Sequence, residues 1–584
     1  MHRLLPLLSL LPLACAPAAD LPPSSSTTPA SDGGNLISFG ATVDGAGAAD
    51  AYQASCTAPI ATASGQLAGA RESESGTCVW RGIPYAAPPV GALRWRPPQP
   101  PASWSGVRQA TSWGPICMQQ GVMDPINFDP SGKQDEDCLY LNIWRPDRPG
   151  KLPVMVWIHG GAYTGGTGNT PLYWGDRLAR DGDVVVVTLN YRLGAFGFLA
   201  HPAMRAEETS QTTGNYGSLD QIAALQWVQK NIAAFGGDPA QVTLFGESAG
   251  GWTVCTLIAS PLAKGLFQRA ILESGACDTS EPLADGYAQT AAFAKSLGCT
   301  ASDPASELAC LRQVPAKTLL THTAGVLRSL DYRNHHDGYV LTDVPLKVIR
   351  SGSFNKVPLI AGHNKGEFRF VSNVIPANVA TLPAIYNLYL KMFVGDPLGL
   401  DAQTLTDLYA LYPASSYGYK PIDAISAIIS ETALSCPTYL GALAVAQQTG
   451  QVWLYRFDFE QAKVNLLFNW YLPMGAAHGM EIAFAFGNTD RKPASLALEK
   501  LDAGVLAKLS RTMMGYWTAF ATYGAPAGAS LPSWDPLDPS APAAQVLDTQ
   551  VRPDPLDQGA QSFHSRCMFW DRVAPGGGVL AKLL

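Results

Sequence analysis

A chain of 584 residues exceeds the usual ~100–200 per domain, so length alone predicts several domains. With 47% apolar and 15% charged residues, and with 56 Gly and 45 Pro, the chain suits a large buried core with long ordered loops, which excludes a disordered protein. A net charge of −7 without any Lys/Arg run excludes a nucleic-acid partner.

The chain opens as an export signal over residues 1–19. Met1-His2-Arg3 is a short basic start, and the apolar residues 4–13 are too few to cross a bilayer. Small residues follow, and two processing routes are open. Cleavage at an Ala-x-Ala site releases a free protein, which is the expected route. The other uses Cys15 as a lipoprotein anchor, although Pro12 stands where such a motif usually has Leu. The expected location is therefore secreted or periplasmic, and disulfides are permitted there. Residues 20–60 are rich in Ala, Ser, Thr, Pro and Gly and predict a flexible leader. No later stretch reaches the ~18 continuous apolar residues of a membrane helix.

Folded sequence is expected from residue 61. Residues 65–69 read as a first strand, flanked by Cys56 and Cys78, for which pairing is open. A proline-stiffened loop spans 82–91. A Cys117–Cys138 bridge would close a loop of about 20 residues, worth ~3 kcal/mol in the chain-entropy model. The acidic residues before Cys138 read as solvated loop charge, because no His or Cys ligand set surrounds them. Residues 152–158 are continuously apolar, as in a strand buried on both faces. That strand runs into His159-Gly160-Gly161-Ala162-Tyr163, where bare backbone lets successive N–H groups point into one space. A strand at 183–190 follows. Next comes a helix at 218–234, with Ile222, Leu225, Val228 and Ile232 on one face. Strands are predicted at 242–245, 270–275, 357–362 and 452–459. Cys299 and Cys310 bracket a short polar loop and read as a second bridge. Strand and helix alternating in this rhythm predict a parallel sheet covered on both faces.

The strand at 242–245 enters Gly246-Glu247-Ser248-Ala249-Gly250, and a helical pattern follows. This is the glycine-flanked serine turn in which a nucleophile is thrust out beside a helix N-terminus. A serine nucleophile needs a base, and the base needs a carboxylate to hold its tautomer. In this architecture the order is Ser, acid, His. Most histidines stand too early in the chain, and His564 lies close to Cys567 near its end. His478 sits among small residues after a strand, where an imidazole could reach the serine. Glu367 follows the strand at 357–362 by a short loop, and several aspartates remain open beside it.

The segments 82–91, 136–142, 159–163, 190–199, 215–220, 246–251, 362–367 and 478–487 together resemble the type-B carboxylesterase/cholinesterase family of α/β-hydrolases. The resemblance covers residues 65–572 and implies one α/β-hydrolase catalytic domain over 61–575 with a tail at 576–584, in place of several domains. It implies a mostly parallel central sheet with helices on both faces and long loop insertions forming the substrate gorge. It implies a triad of Ser248, Glu367 and His478, and oxyanion donors on the backbone of Gly161, Ala162 and Ala249. Glu247, Ser274 and Glu481 are implied as polar support. The family's bridges correspond to Cys117–Cys138, Cys299–Cys310 and Cys436–Cys567.

The sequence also departs from the family. Ala162 replaces the third glycine, and Phe368 stands after the acid where Gly is usual. The Cys117–Cys138 loop lacks the Trp that cholinesterases use for a quaternary ammonium, so choline esters are not expected. Cys255 and Cys277 have no family partners and are expected as buried thiols. The expected function is a secreted serine carboxylic-ester hydrolase, working through an acyl-enzyme on small to medium esters. No metal and no cofactor are needed, the expected partner is a small-molecule ester, and no oligomeric interface is read. The alternative is a catalytically silent binding or adhesion protein of the same fold.

Overall fold

The computed structural model describes residues 56–120, 129–322, 332–374, 379–467, 470–498, 500–575 and 579. The expected signal, Cys15, the leader up to residue 55 and, apart from Val579, the tail lie outside the described residues. The body reaches further back than the expected boundary at 60–61. Cys56 is bridged to Cys78, and Ile60–Thr62 pairs with Gly65–Ala68 as a hairpin. A disulfide and a strand ladder tie down a stretch that composition alone marks as leader.

The central sheet contains Ala70–Arg71 (β1), Cys78–Pro84 (β2), Tyr140–Arg145 (β3), Leu152–Ile158 (β4), Val185–Leu189 (β5) and Gly237–Glu247 (β6). It continues with Arg269–Glu273 (β7), Leu359–Asn364 (β8), Val452–Phe457 (β9), Ala543–Leu547 (β10) and Arg552–Pro555 (β11). Its 11 strands lie in the order β11-β10-β9-β8-β7-β6-β4-β5-β3-β2-β1. From β10 across to β5 every neighbour is parallel, whereas the pairings at both ends are antiparallel. Every residue of β4, β5 and β8 is buried, which accounts for the mostly apolar or small composition of β4, β5 and the first four residues of β8; β8 ends in the buried polar pair His363 and Asn364.

Helices cover both faces. The principal ones are Tyr216–Asn231 (α1), Ala249–Ala259 (α2), Pro421–Ser430 (α3), Cys436–Thr449 (α4) and Ala503–Tyr523 (α5). On the α5 face, Trp157 of β4 and Phe245 of β6 meet Phe486, with ring centroids 5.0 and 5.5 Å away, and share a core with Met513 and Trp517. Helix α2 packs on β6 and β7.

The expected long loops are largely helical. Leu283–Ser296, Pro304–Gln313, Ala316–His322, Pro383–Leu390 and Ala402–Leu411 are all helices. Two of them carry a start signal that the sequence reading passed over. The side chains of Asp303 and Asp401 accept from the N–H groups of Ser306 and Thr404, satisfying donors that a first turn leaves free. Helices α3 and α4 are joined by a π turn, Glu431–Ser435. The run Pro421–Thr449 is long and apolar enough to cross a membrane, but it is wholly buried within the protein.

Ten cysteines form five disulfides: Cys56–Cys78, Cys117–Cys138, Cys255–Cys277, Cys299–Cys310 and Cys436–Cys567. Cys255 and Cys277 are therefore a bridge, not the buried thiols expected. The reason lies four residues earlier in α2. A Cβ on Gly251 would stand 2.6 Å from the Gly275 Cα, so the helix rests directly on the turn after β7. One helical turn further on, Cys255 comes over Cys277.

Candidate active site

The serine turn is built by sterics. A Cβ on Gly246 would lie 2.7 Å from the Gly250 carbonyl carbon, and one on Gly250 would run into the Ile158 carbonyl oxygen. Between them Ser248 adopts φ 57° and ψ −122°, a conformation that side chains rarely take. It is held by its N–H donating to the Glu273 carbonyl at 3.0 Å, and by the Trp252 N–H donating to its own carbonyl at 2.8 Å. Helix α2 starts at the next residue and aims its free N–H groups at the serine.

Glu367 and His478 arrive on two loops stitched together. The Gly366 N–H donates to the Ala476 carbonyl at 3.0 Å, and the His478 N–H to the Glu367 carbonyl at 3.1 Å. His478 Nδ1 then lies 2.7 Å from Glu367 Oε2, and His478 Nε2 lies 2.8 Å from Ser248 Oγ. Glu367 is fully buried, with its other oxygen accepting from the Asn364 N–H at 2.7 Å. His478 keeps 29% of its side chain exposed, and Ser248 is half-buried, so the far end of the line is open to a small molecule.

The glycine turn after β4 presses against the serine, since a Cβ on Gly160 would lie 2.9 Å from the Ser248 Cβ. Gly161 and Ala162 have φ of 107° and 53°. Their N–H groups, and that of Ala249, donate to no other described residue. Ala162 holds a left-handed conformation that the family's glycine would adopt without strain. Tyr163 fixes the turn. It is buried, its carbonyl accepts from the Gly194 N–H at 2.6 Å, and its hydroxyl meets Thr253 and Asn334 at 3.2 and 3.1 Å.

Behind Ser248, His478 and Glu367 lies a set of buried carboxyls. Glu247 Oε1 is 3.2 Å from His478 Nε2. Burial raises the Glu247 carboxyl to about 7, with His478 opposing and Glu367 adding to the rise. Burial opposes charge on His478, but Glu247 and Glu367 outweigh it and hold the imidazole above its ordinary range. Burial raises the Glu273 carboxyl to about 8, while it accepts from Trp517 Nε1 at 2.8 Å. Burial also pushes Glu481 well up, and one of its oxygens accepts from the Asn364 amide. Ser274 Oγ is buried and makes no hydrogen bond with a described residue, so its contact with the site is through backbone, its N–H donating to the Gly362 carbonyl at 2.8 Å.

Asn364 escaped the sequence reading. Its N–H holds Glu367, and its amide donates to the Ala477 carbonyl at 2.7 Å and to Glu481, so one residue links the loop of Glu367 to the loop of His478. Its position inside Gly362-His363-Asn364-Lys365-Gly366-Glu367 was the available signal. Arg192 and Asp220, from two of the matching segments, form a buried two-pronged ion pair at 2.7 Å on each prong, locking the loop after β5 to α1.

The chain has relatives of known kind. The sequence profile of the carboxylesterase family matches residues 57–570. This chain belongs to the carboxylesterase family. It is 38% identical to a para-nitrobenzyl esterase of Bacillus subtilis (strain 168), over 82% of this chain and 93% of that one. It is 35% identical to a liver carboxylesterase of Sus scrofa, over 84% and 90% of the two chains. Among solved structures, a carboxylesterase of Geobacillus stearothermophilus matches with TM-score 0.74 and 33% identity, covering 88% of this chain and 99% of that one. A thermophilic PNB esterase matches with TM-score 0.73 and 34% identity, over 88% and 100%. The fold is that of the α/β-hydrolases and the protein is a carboxylesterase. The binding-protein alternative is not favoured.

Proposed function

We propose that this esterase is an exported serine hydrolase of small to medium carboxylic esters, working through Ser248, His478 and Glu367. The observation that carries this reading is the unbroken line from Ser248 Oγ to His478 at 2.8 Å and on to Glu367 at 2.7 Å. In the proposed cycle His478 Nε2 takes the Ser248 proton as Oγ attacks the ester carbonyl. The N–H groups of Gly161, Ala162 and Ala249 hold the oxyanion, each worth roughly 3 kcal/mol. His478 returns the proton to the departing alcohol oxygen and leaves an acyl group on Ser248. It then takes a proton from water as the water oxygen attacks the acyl carbon, and passes that proton to Ser248 Oγ as the acyl–Oγ bond breaks and the acid leaves. Glu367 stays ionised and stabilises the imidazolium.

Export is supported by the signal-like residues 1–19 and by five disulfides, which suit an oxidising compartment. Hydrolysis of a short and a long p-nitrophenyl ester, with Ser248→Ala as control, tests the reading. We expect the variant to lose about a million-fold in kcat. Retention of wild-type turnover by Ser248→Ala would remove the serine from its proposed role.

A further inference from the structure

We propose that Phe368 makes the alcohol-side wall of the active site and selects esters whose alcohol portion is flat and aromatic. This rests on the triad reading above. Phe368 is the residue directly after Glu367, where glycine is usual in the family pattern, so a side chain stands there that a glycine would not supply. Its ring stands nearly parallel to the His478 imidazole, at 15° with centroids 6.3 Å apart, and packs against Phe370 at 5.7 Å. Both phenylalanines retain exposed surface, Phe370 37%.

The ring is held in place by its backbone. The Phe368 N–H donates to Ser430 Oγ at 2.9 Å, and its carbonyl accepts from Ser426 Oγ at 2.8 Å. The two serines lie one turn apart on α3, and Ser430 Oγ also donates to the Ser426 carbonyl at 2.7 Å. A residue clamped at both its N–H and its C=O cannot swing its side chain away by a local backbone shift, so the wall is pre-formed.

The side of the substrate follows from the chemistry. His478 Nε2 hands its proton to the departing alcohol, so that alcohol must sit within hydrogen-bond reach of the imidazole. A ring bordering the imidazole therefore borders the alcohol portion, while the acyl carbonyl is turned towards Gly161, Ala162 and Ala249. Aromatic faces favour flat partners through offset stacking or edge contact, by up to about tenfold beyond simple area burial.

The test compares 2-phenylethyl butyrate with 2-cyclohexylethyl butyrate, which share their acyl group and differ in a flat against a puckered ring. We expect wild type to prefer the phenyl ester in kcat/KM by about tenfold. In Phe368→Ala the ratio should fall towards one. In Phe368→Leu, which keeps apolar bulk without a flat face and decides the matter if the alanine variant fails to fold, it should fall as well. A wild-type ratio near one, or a ratio unchanged in the variants, overturns the proposal. Equal losses on both esters would also overturn it, since they mark a structural role. Hydrolysis of neither ester by wild type also overturns the proposal, whereas the triad reading fails separately if turnover of a p-nitrophenyl ester survives Ser248→Ala.

Discussion

Glu247 Oε1 lies 3.2 Å from His478 Nε2, so the imidazole proposed as the base faces two carboxyls at once. Only a neutral imidazole can take the Ser248 proton. A His478 held above its ordinary range therefore loses activity as pH falls through that raised value, and the acid limb of kcat/KM lies further towards alkaline pH than an isolated histidine would give. Glu247→Gln removes one of the opposing charges and should move that limb to lower pH by about one unit. A pH profile on p-nitrophenyl butyrate measures it, and an unmoved limb would show that Glu247 does not tune the base. At this scale much was legible. Gly246 and Gly250 declare the serine turn because a backbone so close to Ile158 leaves no room for a Cβ. Sequence does not give side-chain direction, however. Neither the Phe368 ring beside His478 nor the Asn364 amide joining two loops could be read before the fold was in view.

Between elements, the Cys255–Cys277 bridge fastens α2, the helix that starts at the serine, to the turn after β7. Its ends are 22 residues apart in sequence, so loss of the bridge should cost about 3 kcal/mol in the chain-entropy model. The double variant Cys255→Ala/Cys277→Ala should show a correspondingly lower midpoint in guanidinium, and an unchanged midpoint would contradict it. Buried strands announced themselves through apolar runs, continuous in β4 and interrupted only by Thr188 in β5. The inserted helices did not. Pro304–Gln313 and Ala402–Leu411 each bury few residues and show no strong apolar stripe, so the clearest signals were the capping aspartates at their starts. The bridge was invisible for a related reason, because it depends on how closely Gly251 approaches Gly275.

Across the whole molecule, distant parts of the chain converge on one core. Trp517 of α5 donates to Glu273 of β7, 244 residues away in sequence, and Cys436 of α4 is bridged to Cys567 across 131 residues. A bridge closing so long a loop constrains the unfolded chain most. Cys436→Ala/Cys567→Ala should lose close to 5 kcal/mol, more than the shorter bridge, and the ordering of the two guanidinium midpoints checks it. Length alone pointed to several domains. In the structure β6, β8 and β9 come from three widely separated stretches yet belong to one sheet, and Ser248, Glu367 and His478 follow its strands.

The most direct test of the account is covalent trapping. The mature protein would be treated with an alkyl p-nitrophenyl phosphonate and its intact mass and peptide map recorded. We expect one adduct per chain, on Ser248, with activity lost in proportion and no adduct in Ser248→Ala. Full inactivation with the adduct on another residue, or full labelling of Ser248→Ala, would contradict it.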